Sequence, residues 1–312
     1  MPKPHKINTK RARLWRVVLA VLLLGLGAGL LAAHWQTVTS SLILVRKTSI
    51  RWLVLSLLAM AGTFCLAAGV YGLLALKPLR YRQTIVVEVA AAFANRLLPA
   101  GLGGLGLHGV YLYRKKHTPA QATAVVSVNN LLGITAHLVL LAFVVLARPG
   151  VLQMFVRHYA INGWYVLVAL LIVLLGLSLP WVRRKLSAFG RNLAASLRLL
   201  RPRRVLAAAV LAMLLTAAYT CILFASAHGV GLQLGVLQTF IVFSAGLLVG
   251  TATPTPGGLV GTEAGLFAGF VGYGVSPADA TAATLLFRLV TYWLPLLPGV
   301  FALLLARARK LV

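Results

Sequence analysis

Apolar runs of helix length, separated by short basic segments, dominate the chain. Residues 17–33, 52–76, 134–147, 164–179 and 205–227 carry no Lys, Arg, Asp or Glu. A helix rises about 1.5 Å per residue, so about 20 such residues cross a hydrocarbon core about 30 Å thick. The pattern predicts an all-α polytopic integral membrane protein with about six full transmembrane helices, near 14–35, 52–76, 118–147, 164–179, 205–229 and 280–306. Two apolar segments break the rule. Residues 84–113 are interrupted by Pro99 and by glycines that include Gly101, Gly103 and Gly104. Residues 237–273 are interrupted by "TPTPGG", which holds Pro254, Pro256, Gly257 and Gly258. The first has basic segments on both sides, yet two full crossings would need about 40 residues.

The economical expectation is a pair of re-entrant hairpins that enter from opposite faces of the bilayer. The two turns also share local sequence, "GGLGLHGVYL" after Pro99 and "GGLVGTEAGLF" after Pro254. Paired Gly/Pro interruptions in inverted positions point to an inverted-repeat transporter with its site near the bilayer midplane. The plainer alternative is that these residues only kink packed helices. Gly101, Gly103 and Gly106 also spell G-x-G-x-x-G, the dinucleotide-binding spacing. That fingerprint needs a preceding strand and an acid about 20 residues later. The next carboxylate after Glu88 is Glu263, so the match is set aside.

Composition sharpens this picture. Hydrophobic residues make up 60% of the chain, charged ones 11%, and mean hydropathy is +0.93. Thirty basic residues face three acids, Glu88, Glu263 and Asp279, for a formal charge of +27. In a soluble protein this would indicate nucleic acid. Here the cations lie between the apolar runs, which is positive-inside patterning and excludes that class. It predicts a basic cytoplasmic N-terminus at 1–13, a single membrane domain at 14–306 and a basic cytoplasmic tail at 307–312. The loops at 77–82 and 114–117 would also be cytoplasmic, while Arg46, Lys47 and Arg51 in the first outer loop run against the rule. Residues 183–204 place Leu186, Phe189, Leu193, Leu197 and Leu200 on one face among basic residues, the pattern of an interfacial amphipathic helix. Cys65 and Cys221 read as small core residues. Five scattered histidines (His5, His34, His117, His158 and His228) have no ligand spacing. No metal and no cofactor is expected.

Ionisable residues at membrane depth default to a functional reading. Glu88, Asn95 and Arg96 share one face of the first half-helix, although Glu88 also lies close enough to Arg82 to neutralise that loop. Glu263 starts the second half-helix, where the dipole favours a carboxylate. Arg288 lies on a polar stripe with Thr281, Thr284 and Tyr292, and it is expected to pair with Glu263 across the second hairpin. Arg96 and Arg288 would then offer bidentate phosphate sites. Asn130 and His137, seven apart, are expected to act as interhelical hydrogen-bonding groups.

The stretches "NRLLPAGLGGLGLHGVYLYRK" (95–115), "PTPGGLVGTEAGLF" (254–267) and "LFRLVTYWLPLLPGV" (286–300) resemble the lysylphosphatidylglycerol synthase transmembrane-region family, flippase-like integral membrane proteins. The shared features are Asn95 before a Leu-Pro and a glycine turn, P-x-P-G-G followed by Glu263, and Phe287-Arg288 before Trp293-x-Pro295. Where the family pattern has an Arg after the first glycine turn, this chain has His108. The resemblance implies the lipid-translocating portion without the soluble synthase domain, in a bacterial cytoplasmic membrane. The expected function is a flippase or scramblase for an anionic lipid: a phospholipid, an aminoacylated phospholipid or a polyprenyl-phosphate carrier. Arg96, Arg288, Asn95, His108 and Tyr292 are its candidate substrate-binding residues, and Glu88 and Glu263 are ion-coupling or structural groups. The expected partners are anionic membrane lipids and a lipid-modifying enzyme. Two rivals stand beside this. One is a non-transporting assembly factor for a lipid enzyme. The other is a polyprenyl-phosphate-dependent membrane enzyme, which three carboxylates support poorly.

Overall fold

A computed structural model describes residues 48–98, 101–151, 178–253 and 255–312, with residues 153, 171 and 175 between them. Among these residues the chain is helical, without strands. The helix expected at 14–35 and all but residues 171, 175, 178 and 179 of the one expected at 164–179, together with Pro99 and Pro254, lie outside the described residues. In chain order the helices are α1 (Ile50–Leu74), α2 (Tyr81–Leu97), α3 (Leu102–Arg114), α4 (Pro119–Ala147) and α5 (Pro180–Arg198). There follow α6 (Pro202–Gly229), α7 (Val236–Ala252), α8 (Gly261–Val271), α9 (Pro277–Arg288), a π-helical turn (Leu289–Trp293) and α10 (Leu296–Ala308).

Local chemistry explains many of the boundaries. Proline opens α4, α5, α6 and α9, where its missing N–H would have been unpaired anyway. Thr118 and Gln121 form a reciprocal capping box on α4, and Ser276 caps α9 by accepting from the Asp279 N–H. The amphipathic helix ends earlier than its pattern predicts, at Arg198 and not at 204. Pro202 opens the next helix there, and the chain turns at Leu199–Arg201. Of the expected apolar face, Leu200 is buried and Leu197 is exposed.

Among the described residues, α1, α4, α6 and the 277–308 segment are long and apolar enough to cross a membrane. Their outward positions are apolar, such as Leu146 at 80% exposure and Phe301 at 70%. In water such a surface would be untenable, whereas acyl chains solvate it. α1 packs along α6, and α10 packs along α2. Four shorter helices form two hairpins, α2–α3 and α7–α8, each with its limbs side by side, and α5 packs on α4. No limb exceeds 17 residues, about 25 Å, so none fills the hydrocarbon thickness alone.

One loop histidine fastens the base of the first hairpin. The buried ring of His117 accepts from the backbone N–H groups of Leu76 and Lys77 at Nε2 (3.2 and 3.1 Å). Its Nδ1–H donates to the Leu112 carbonyl at 3.0 Å. These three bonds need the neutral ring. They join the end of α1 to the end of α3.

Candidate functional site

The second hairpin turns through three left-handed residues. Gly257 and Gly258 have φ of 59° and 66°, which glycine tolerates, and Val260 has φ of 70°. A β-branched residue there is strained. The turn is pressed against the 277–308 segment. A Cβ on Gly257 would lie 2.5 Å from the Tyr292 ring and 3.5 Å from Cγ of Arg96. The second hairpin tip therefore touches both the last spanning segment and the end of the first hairpin's leading helix.

Arg288 is buried at this junction, 6% exposed. Its Nε donates to Glu263 at 2.7 Å, and its Nη2 donates to the Gly257 carbonyl at 3.4 Å. The pair expected across the second hairpin is thus formed. Its guanidinium lies 4.6 Å from the centre of the Tyr292 ring, and that of Arg96 lies 5.4 Å from it. Two cations from different elements therefore share one aromatic ring. The second oxygen of Glu263 and the hydroxyl of Thr284 are buried without partners. Both residues line a cavity of about 390 Å³ together with Val260, Phe267 and Trp293. Thr281 also lines it but is exposed, so the polar stripe on α9 turns fully inward only from Thr284 onward.

Pro295 explains how Arg96 is held. A proline removes the donor for the carbonyl four residues earlier, here that of Thr291. The helix responds with a π turn, in which Leu294 N–H reaches back to Leu289 at 2.9 Å. The released Thr291 carbonyl accepts from Nη2 of Arg96, whose Nη1 donates to Ala92. Nε of Arg96 is buried without a partner.

The first hairpin closes on itself. Gly101 turns the chain with φ of 71°, and Oδ1 of the Asn95 side chain accepts from the Gly104 N–H at 2.5 Å. A Cβ on Gly103 would lie 2.2 Å from the Ala94 carbonyl oxygen, so the limbs meet backbone to backbone. Deeper in, Nε2 of His108 lies 3.0 Å from Glu88, and Nδ1 donates to the Gly104 carbonyl at 2.8 Å. Tyr71 of α1 stacks flat on the imidazole at 4.1 Å.

A family model described as Lysylphosphatidylglycerol synthase TM region matches residues 13–299. The chain belongs to this family. No curated protein matches it. It is therefore an integral membrane protein of a family tied to lipid handling.

Of the residues proposed to serve this family member, Arg96, Arg288, Tyr292 and Glu263 are brought together. Asn95 is committed to the hairpin turn through its side-chain Oδ1. His108 and Glu88 lie apart from that cluster, inside the first hairpin, and both ring nitrogens of His108 are engaged there. Pro256 lies in the second turn, where its carbonyl accepts from Leu259 N–H at 3.3 Å. Glu88 pairs with His108 and not with Arg82, because its helix face turns inward. The hydrogen bond expected of His137 is not made by its Nδ1. That atom is buried and unpartnered, and the ring packs on Phe240 and Phe243. Asn130 is exposed. Sequence reasoning missed Tyr71 and the Thr291 carbonyl. Pro295 inside a helical run was the available signal for the second. Tyr71, 37 positions from His108, had none.

Proposed function

We propose that this protein moves a lipid with an anionic headgroup across the bilayer, as a flippase or scramblase, along a path between its two hairpin tips. In this reading the hairpins are re-entrant and enter from opposite faces, with the basic loops on the cytoplasmic side. The observation that carries it is the convergence of Arg96 and Arg288 on Tyr292 where the tips meet. Arginine suits a phosphodiester because its donors form a planar fork. Both guanidiniums are held by protein acceptors in this conformation. An arriving phosphate would therefore exchange with the Glu263 carboxylate and the Gly257 carbonyl for Arg288. The adjoining cavity would admit the headgroup from the side, past the exposed Val260 and Phe267.

A binding role fits the acids better than catalysis. Glu88 faces His108, Glu263 faces Arg288, and Asp279 accepts from the Ser276 hydroxyl at 2.7 Å at the start of α9. Each has a structural partner, which supports a structural or binding role for all three.

The test is dithionite quenching of fluorescent phospholipids and a polyprenyl phosphate in proteoliposomes. Wild type is compared with Arg96→Ala, Arg288→Ala and Arg288→Lys at equal reconstitution of monodisperse protein. Movement should be lost in both alanine variants and partly kept in Arg288→Lys. Movement indifferent to all three would remove the site from the path. No movement above protein-free liposomes with any headgroup would favour the assembly-factor reading.

A further inference from the structure

The Glu88–His108 pair lies outside the arginine cluster, and its hydrogen-bond geometry imposes a proton count. Nδ1 of His108 lies 2.8 Å from the Gly104 carbonyl, which can only accept, so Nδ1 carries a proton. Nε2 then faces a Glu88 oxygen at 3.0 Å. A bond at that distance needs one more proton, either on Nε2 as an imidazolium or on the carboxyl group. Both forms are neutral as a pair. Removing that proton leaves one ring proton for two bonds, so either the bond across the limbs or the bond to Gly104 is lost, and the pair carries a net negative charge. Both residues are more than nine-tenths buried, where an unpaired charge is strongly disfavoured.

We propose that Glu88 and His108 form a proton-binding site that latches the two limbs of the first hairpin. The ligand is a single proton. Glu88 is on α2 and His108 on α3, so the shared proton joins the limbs directly. Its loss removes one of the two hydrogen bonds of His108 and leaves an uncompensated negative charge buried at their interface. Exchange with water needs the limbs to part, because the pair is closed off by Tyr71 stacked on the ring and by the packing around Val87. Proton release and hairpin opening are therefore one event.

The groups facing the pair leave it this role. Tyr71 comes from α1, and Tyr219 of α6 lies within electrostatic range of both Glu88 and Arg96. Tyr111 on α3 bonds Thr84 at 3.0 Å. α10 meets Val87 of this hairpin with the apolar Ala306. Arg96 is eight residues from Glu88, about 12 Å along the helix, and is turned toward Tyr292. Phenols titrate near 10, above the range tested below. Glu263 is a different case. Its partner Arg288 offers a guanidinium, which only donates, so the pairing needs no added proton.

The inference stands without the translocation reading, and its test uses no lipid movement. Arg82→Cys and Tyr113→Cys, at exposed positions on α2 and α3, carry nitroxides in a Cys65→Ser, Cys221→Ala background of the whole 312-residue chain in nanodiscs. Spin–spin distances are measured from about pH 5.5 to about pH 9, a span that brackets histidine titration. The labelled parent should show a shift to longer distances as pH rises. Glu88→Gln should lose the shift, because its amide N–H donates to neutral His108 without a titrating proton. His108→Gln, whose amide donates to the carboxylate, should lose it too and serves if Glu88→Gln does not fold. The same shift in the parent and in either folded variant would overturn the proposal. No shift in the parent would overturn it as well.

Discussion

The two hairpins are built alike and closed differently. In α2–α3 the acid and its partner both belong to the hairpin, and Asn95 stitches the turn from within. In α7–α8 the limbs are held by close packing of small residues, and the acid points outward to Arg288 on α9. The first hairpin is thus closed by polar groups of its own two limbs. The second is packed without internal charge, and its tip is tied to the rest of the protein. Its turn also keeps a strained valine, whereas the first turn places its positive φ on glycine. Polar closure can be released by the loss of one proton or by one competing ligand, while steric closure cannot. The difference assigns the hinge-like role to the first hairpin's interface and the anchoring role to the second's.

The largest effect expected is at the packed glycines. A Cβ on Gly265 would lie 2.5 Å from the Ala245 carbonyl oxygen, a backbone atom with little room to shift. Gly265→Val should cost upwards of about 3 kcal/mol and prevent recovery of folded protein. Gly106 on α3 meets nothing within 4 Å, and Gly106→Ala should be neutral or stabilise by up to about 1 kcal/mol. Size-exclusion profiles and thermal unfolding of the purified variants compare the two. Equal tolerance at both sites would erase the contrast.

Next comes the outward ion pair. Glu263→Ala strands Arg288 in a buried position and should destabilise by about 3 kcal/mol. Exchanging the partners, Glu263→Arg with Arg288→Glu, should recover part of that loss. Recovery stays partial because Arg288 also holds the Gly257 carbonyl and faces the Tyr292 ring. A double-mutant cycle with no coupling would mean that the pair adds nothing to the anchor.

Arg96 gives a third, smaller test. Arg96→Ala leaves the Thr291 carbonyl without its donor and should cost about 1–3 kcal/mol. Pro295→Ala supplies an N–H that can regularise the helix. In that background the loss from Arg96→Ala should shrink, and thermal melts of the four proteins report the coupling. An undiminished loss would mean that the freed carbonyl is not what Arg96 serves.

The smallest effect belongs to the base of the first hairpin. Burial, with Lys77 adding to it, holds His117 below its usual value of 6.5. The unfolded chain therefore binds the proton more readily. The contribution of His117 to stability is intact above about pH 6.5 and declines as pH falls through the unfolded value toward the lower folded one. The difference in melting temperature between wild type and His117→Gln should accordingly narrow from pH 7.5 to pH 5. A constant difference would assign the residue a role insensitive to charge.

Much of this protein was legible in its order of residues. Uncharged stretches of helical length have few ways to satisfy their backbone in a membrane, so the spanning helices follow from composition and length alone. The same holds for the broken segments, because glycine and proline punctuate wherever they occur. The pairing of Glu263 with Arg288 was also accessible, since few acids exist to choose from. The tertiary structure alone decided which charges share a site. It separated His108 from the arginines and turned Glu88 away from Arg82. It also placed Tyr71 and the carbonyl released by Pro295 against partners far along the chain. Helical period fixes which face a residue occupies, but what that face meets depends on how distant helices pack. That is set by shape and close approach over the whole bundle, which no local spacing encodes.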